Sequence, residues 1–253
     1  MRLRRRSTDE LRREVDRLRE VVDRKDQRIA GLQRRLDGRT DLGYLFVVTY
    51  GRSGSTLLNG ILNDIPGYLL RGENGDALHH LFHFHTTLVD RKAEHAGARS
   101  PERPWFGIAG FDPDRSLAGL RRLVLETVLR PGPDTRVTGF KEIRWARKDL
   151  PAYAAWLRQV FPGARFIVNT RSHEAVLASK WWADADPESA TRRLADAEEQ
   201  ILALADDLGD AAYRVHYDDY VADPDVLAGL FAWLGEDYDA ARVRAVMEKR
   251  HSY

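Results

Sequence analysis

The sequence predicts an α/β protein in which a parallel sheet is flanked by helices and preceded by an N-terminal coiled-coil helix. Three observations carry this. Short apolar runs rich in β-branched and aromatic residues alternate with segments of helical apolar spacing, the pattern of a parallel sheet with helices on both faces. The first such run, Tyr44 to Thr49, turns through Gly51 and Gly54 directly into a helical pattern. Ahead of it, apolar residues recur at alternating spacings of four and three over residues 11–36.

Residues 8–38 read as one helix. Leu11, Val15, Leu18, Val22, Lys25, Ile29, Leu32 and Leu36 form a heptad seam whose one polar intruder is Lys25. Ser7 or Thr8 caps its start. Glu14 and Arg19 fall where side chains pair between two parallel helices, so a homodimer through residues 8–38 is expected. Two alternatives stay open: the helix folds back on its own domain, or its arginines bind an anionic surface. Gly38 to Gly43 reads as a linker, which leaves residues 39–253 as the second domain.

Charge is divided unevenly. Residues 1–40 hold 14 Lys/Arg against 8 Asp/Glu, and the remainder holds 26 against 31. The net charge of +1 argues neither way about polyanions, and no nucleic-acid partner is expected. There is no cysteine, which excludes disulfides, thiol catalysis and thiolate metal sites and suits a cytoplasmic protein. No apolar run approaches the length of a membrane span, and the charged N-terminus lacks the apolar region of a signal peptide.

Tyr44 to Thr49 is a buried strand, and Leu57, Leu58, Ile61 and Leu62 follow at helical spacing. Between them Gly51, Arg52, Ser53, Gly54, Ser55 and Thr56 offer two glycines, a cation and three hydroxyls. Strand, Gly-containing loop and helix aim backbone N–H groups and a positive helix end at a phosphate, so the loop reads as a P-loop-like phosphate cradle. It lacks the Lys that follows the second Gly in G-x-x-x-x-G-K-[ST]. It also fails the fifth position of the G-x-S-x-G nucleophile elbow. The plain alternative is an ordinary turn made of small residues.

The remaining elements follow in order. Tyr68 to Arg71 is a short extended piece, Asp76 to His95 a helix, and residues 96–116 an ordered excursion around Pro104-Trp105-Phe106-Gly107. Leu117 to Leu129 is helical, and Arg136 to Ile143 is a strand. A helix from Leu150 to Val160 leads to a strongly buried strand, Ala164 to Thr170. Helices are expected at His173 to Trp182 and Pro187 to Leu208, a short strand at Tyr213 to Tyr217, and closing helices at Pro224 to Leu234 and Ala240 to Lys249.

The strand with Arg52-Ser53-Gly54-Ser55-Thr56 resembles the first cofactor loop of the PAPS-dependent sulfotransferases. Arg171 ends the second buried strand and Ser179 follows eight residues later, which resembles that family's 3′-phosphate loop. Arg supplies a planar fork of donors and Ser a further hydroxyl. Val215 to Pro224, followed by Leu227, Leu230, Phe231, Leu234 and Gly235, is similar to a third family segment, in which the Tyr, here Tyr217, lies near the nucleotide. The resemblance spans residues 44–235.

The resemblance implies sulfuryl transfer from PAPS to a hydroxyl or amine of a small-molecule or glycan acceptor, without a metal. It implies Glu73 as general base, because the tyrosylprotein and trehalose types carry a Glu in this region behind a small residue, here Gly72. It implies Lys141 near the donor's bridging oxygen, with its neighbour Glu142 as the runner-up base. The His base of the cytosolic small-molecule enzymes is replaced here by Ile143. His79 and His83 stand at metal-ligand spacing, but no third ligand is evident, so the cluster His79, His80, His83 and His85 is assigned to structure or to lining the acceptor. Trp181 and Trp182 read as core or adenine-side packing, and Trp105 as acceptor lining or a loop anchor. An ATP-dependent phosphotransferase and a coiled-coil scaffold with a degenerate nucleotide fold are the alternative functions.

Overall fold

The computed structural model describes residues 14–22, 24–25, 42–179, 182 and 186–249, and the chain divides into two units, residues 1–41 and 42–253. In the first unit, residues 14–22 and 24–25 are helical and expose Val15, Leu18 and Val22. The other apolar seam positions, Leu11, Ile29, Leu32 and Leu36, lie outside the described residues.

The second unit is built on five parallel strands: β1 (Gly43–Val48), β2 (Tyr68–Arg71), β3 (Val137–Glu142), β4 (Arg165–Thr170) and β5 (Ala212–His216), in the order β2-β3-β1-β4-β5. Strand β1 is central and continuously apolar because both of its faces are covered. Tyr44, Phe46 and Val48 enter one core with Phe140, Phe166 and Val168; Leu45 and Val47 enter the other with Leu70 and Ile167. Each fully buried aliphatic side chain stabilises the fold by about 1.5–3 kcal/mol. Gly139 of β3 faces Leu45 so closely that a Cβ would lie 1.6 Å from the Leu45 carbonyl oxygen. Only glycine permits that pairing.

Helix α1 (Ser55–Asp64) covers the second face with Leu57, Leu58, Ile61 and Leu62. The first face is covered by α2 (Ala77–His95), α3 (Pro113–Val124), α4 (Leu150–Val160) and, beyond the short α5 (His173–Leu177), α6 (Pro187–Leu208). The short helix α7 (Tyr217–Ala222) leads through a 3-10 turn at Pro224–Leu227 to α8 (Ala228–Leu234) and α9 (Ala240–Met247) on the second face.

Several boundaries differ from the sequence expectation. Helix α3 starts at Pro113, because Asp112 caps it by accepting from the N–H groups of Asp114 and Arg115 and proline suits a first helical position. The expected start at Leu117 followed the apolar period alone. The same segment ends as a π-helix at Leu125–Leu129. Helix α5 stops at Leu177, so Ser179 stands beyond its end and not two turns inside it. The extended piece at Tyr68–Arg71 is the edge strand β2, paired with β3. Tyr217 begins a helix and does not end a strand.

Candidate active site

The carboxyl ends of β1, β3 and β4 open onto one cavity of about 600 Å³, the place where open α/β sheets bind ligands. Gly51, Arg52, Gly54, Ser55 and Thr56 line it from the loop after β1. Glu73, Lys141, Arg171 and Tyr217 line it from the other strand ends. Three expected residues do not line it: Ser53 and Glu142 are buried, and Ser179 donates its hydroxyl to the Val176 carbonyl at 2.7 Å.

The first loop is shaped by backbone geometry. Gly54 has φ +77°, and a Cβ there would lie 2.0 Å from the Tyr217 ring. Arg52 also adopts a left-handed conformation, φ 69°, unusual for a residue with a side chain and characteristic of functional turns. No side chain caps α1 and no acid occupies its first turn, so its N-terminus keeps its donors and its positive end for an anion.

A buried network fastens this loop to β4 and α7. The Thr49 hydroxyl lies 2.7 Å from the Asn169 carbonyl and 2.6 Å from Ser53 Oγ. One hydrogen cannot serve both, so Thr49 donates to the carbonyl and accepts from Ser53. Asn169 donates to the Ser53 carbonyl at 2.9 Å and accepts from Tyr220 at 3.1 Å. Ser53 thus belongs to the wall behind the loop. Tyr50, which sequence reasoning left unassigned, joins the two loops. Its hydroxyl accepts the Arg171 N–H at 2.9 Å and donates to Glu198 at 2.5 Å. Burial, and then the Glu198 hydrogen bond, push its phenol well above the ordinary range.

Arg171 stacks over Tyr217, 4.4 Å from the ring centroid, and donates to the Arg52 carbonyl at 3.1 Å. Its buried Nε makes no hydrogen bond. Lys141, nearly buried, donates to Glu73 Oε1 at 2.6 Å, and the Glu73 side chain is 38% exposed. Glu142 faces a different environment. Its carboxylate accepts the N–H groups of Asn74 at 3.1 Å, Asp76 at 3.2 Å and its own neighbour Ile143 at 2.8 Å. It therefore holds the turn that carries Glu73. Arg71 anchors the same turn from behind by donating to the Leu129 and Arg130 carbonyls.

Met247 and Lys249 also line the cavity, brought there by the C-terminal segment that packs on α1. Nothing local in the sequence marks Lys249, because it depends on how the last helix docks. Arg52, Lys141, Arg171 and Lys249 thus face a single lining carboxylate, Glu73, and the cavity suits a polyanion. A second cavity of about 330 Å³ shares Gly51 and Ile143 with the first and is lined by Trp182, Arg193, Asp196 and Gln200 among others. Trp181 lies outside the described residues. Trp105 stacks on His95 at 4.7 Å, beside Arg91, and borders a separate cavity. His85 is buried with a ring nitrogen 3.1 Å from Ser116 Oγ, and burial lowers its pKa.

Residues 45–240 match the sulfotransferase family, and the chain belongs to it. It is a transferase of sulfuryl groups. Among solved structures it is similar to a sulfotransferase domain from the Synechococcus PCC 7002 olefin synthase, with TM-score 0.53, 22% identity, and 83% of this chain and 78% of that one covered. It is also similar to a sulfotransferase domain from the curacin biosynthetic pathway, with TM-score 0.53, 17% identity, and 83% and 79% covered. These likenesses concern the fold. No curated protein matches the chain.

Proposed function

We propose that the chain transfers a sulfuryl group from PAPS to a hydroxyl or amine of a small-molecule or glycan acceptor, with Glu73 as general base. The observation that carries this reading is the convergence of the Gly51–Thr56 loop, Arg171, Lys141 and Glu73 on one cavity rich in cations. The fit is supported by the uncapped N-terminus of α1, with no acid in its first turn, and by the Arg171 guanidinium, whose Nε makes no hydrogen bond and lies 3.9 Å from Asp218 Oδ1. The loop and the α1 N-terminus would hold the 5′-phosphosulfate, and Arg171 with Ser179 the 3′-phosphate. PAPS supplies the sulfuryl group and a phosphate leaving group. Glu73 takes the proton of the acceptor, and Lys141, hydrogen-bonded to it, neutralises charge on the leaving oxygen. Glu142 spends its lone pairs on backbone donors and is the positioning residue.

Glu73→Gln keeps the size of the side chain but cannot take a proton. Turnover should fall roughly 10²–10⁴-fold with PAPS affinity nearly unchanged. Glu142→Gln should cost less in turnover and more in thermal stability, because the three part-buried N–H groups of Asn74, Asp76 and Ile143 lose a charged acceptor. If Glu142→Gln abolishes turnover while Glu73→Gln affects only stability, the base is misassigned.

The helix of the first unit is proposed to pair with a second copy. Its exposed Val15, Leu18 and Val22 support this reading, since a seam needs a partner to bury it. Deleting residues 1–38 should yield a smaller species that still binds PAPS, and a monomeric full-length protein by light scattering would end the dimer reading.

A further inference from the structure

The topology supplies the third ligand that the spacing of the histidines left unnamed. His79 and His83 lie one turn apart on α2, and the first residue before α4, Asp149, comes to meet them. Asp149 Oδ2 is 3.0 Å from His79 Nε2 and 3.5 Å from His83 Nε2, and the three ligating atoms lie within 4.8 Å of one another. Ligands about 2.0–2.1 Å from a tetrahedral ion stand about 3.3 Å apart. The two measured separations bracket that value.

The second nitrogen of His79 faces a carboxylate. Its Nδ1 lies 3.7 Å from Asp76 Oδ2, and Asp76 is held by Arg147 at 2.8 Å. A neutral imidazole can donate to only one carboxylate. At 3.7 Å the Asp76 contact is an ion-pair distance and not a hydrogen bond. Without an ion, His79 Nε2 shares a hydrogen bond with Asp149 at 3.0 Å. An ion takes the Nε2 lone pair when the proton sits on Nδ1, the side that faces Asp76. We propose that His79, His83 and Asp149 bind a zinc-type divalent ion, with the fourth position open to solvent on the exposed side of His83. Two imidazoles and a carboxylate suit zinc or cobalt better than calcium or magnesium.

The ion ties α2 to the start of α4, and its role is positional. Asp76, beside His79, donates its N–H to the carboxylate of Glu142, which also holds Asn74. Fastening His79 therefore tightens the turn that presents Glu73. The sulfuryl transfer itself does not pass through the ion.

The test uses the full-length protein, stripped with a chelator and titrated with Zn²⁺ by calorimetry and with Co²⁺ by visible absorption. The expected result is one equivalent of Zn²⁺, a Co²⁺ spectrum of low coordination number, and a higher melting temperature with metal. His83→Gln and Asp149→Asn should each weaken binding at least tenfold, and Asp76→Asn should weaken it less. His80→Ala, on the exposed neighbour outside the cluster, should leave it unchanged. His83 is half-exposed, so its variant tests the site without endangering the fold. Absence of stoichiometric binding overturns the proposal. So does binding that survives both His83→Gln and Asp149→Asn, which would mark adventitious capture elsewhere on the surface.

Discussion

At the end of β1 the loop that lines the cavity is shaped by its own backbone, whereas at the end of β4 the lining is Arg171, held by groups from elsewhere in the chain. The first loop takes its shape from Gly54 and Arg52, both at positive φ, and leads straight into α1. The second edge offers Arg171, whose orientation depends on the Tyr217 ring, the Arg52 carbonyl and the hydroxyl of Tyr50. The two meet at Tyr217, which packs against Gly54 on one side and Arg171 on the other. A loop built from its own glycines is legible in a short stretch of sequence. One built from distant partners is legible only through the order of its pieces along the chain.

The largest effect should come from the shared contact. Gly54→Ala adds a methyl 2.0 Å from the Tyr217 ring and leaves alanine at φ +77°. The strain is about 1–2 kcal/mol for the backbone and about 1–3 kcal/mol for the overpacking. Chemical denaturation should register the sum, and PAPS binding should be lost with it. Adding Tyr217→Ala should recover the packing part and leave the backbone part. If the double variant is no more stable than Gly54→Ala, the ring does not enforce the glycine.

An intermediate effect is expected at Arg171. Arg171→Ala should weaken PAPS about ten- to a hundredfold, the worth of a charge-assisted hydrogen bond, and leave adenosine 5′-phosphosulfate little changed. Equal loss for both nucleotides in a calorimetric titration would remove Arg171 from the 3′-phosphate site. The smallest effect should be at Ser179, whose hydroxyl already donates to Val176. A phosphate contact from it must replace that bond, so Ser179→Ala should cost PAPS only a few-fold, on the order of the 0.5–1.5 kcal/mol net of a neutral hydrogen bond. A loss as large as that of Arg171→Ala would mean that the segment after α5 rearranges around the nucleotide.

Much of the site was legible for a local reason. Gly51 to Thr56 stand together in sequence, and Lys141 and Arg171 are marked by ending buried strands. What misled was side-chain direction. Ser53 lies within the cradle motif, yet its hydroxyl turns inward to Thr49. Glu142 adjoins Lys141 in sequence, but neighbours on a strand point to opposite faces, and its carboxylate meets the N–H groups of Asn74 and Asp76 instead of the cavity. Lys249 and Tyr50 were missed because their roles arise from docking and from a contact with a loop far along the chain.

The sequence by itself determined the alternation of strands and helices, the position of the first strand-to-helix loop and the family resemblance. Each of these is written in residues close together, through apolar period, glycine placement and strand-to-helix turns. Only the tertiary structure decided which carboxylate faces the cavity, which hydroxyls are spent in the wall, and that Asp149 stands beside His79 and His83. Those outcomes depend on directions and separations between elements that lie tens of residues apart. They are set by how two cores pack on opposite faces of one sheet, and no local spacing encodes them.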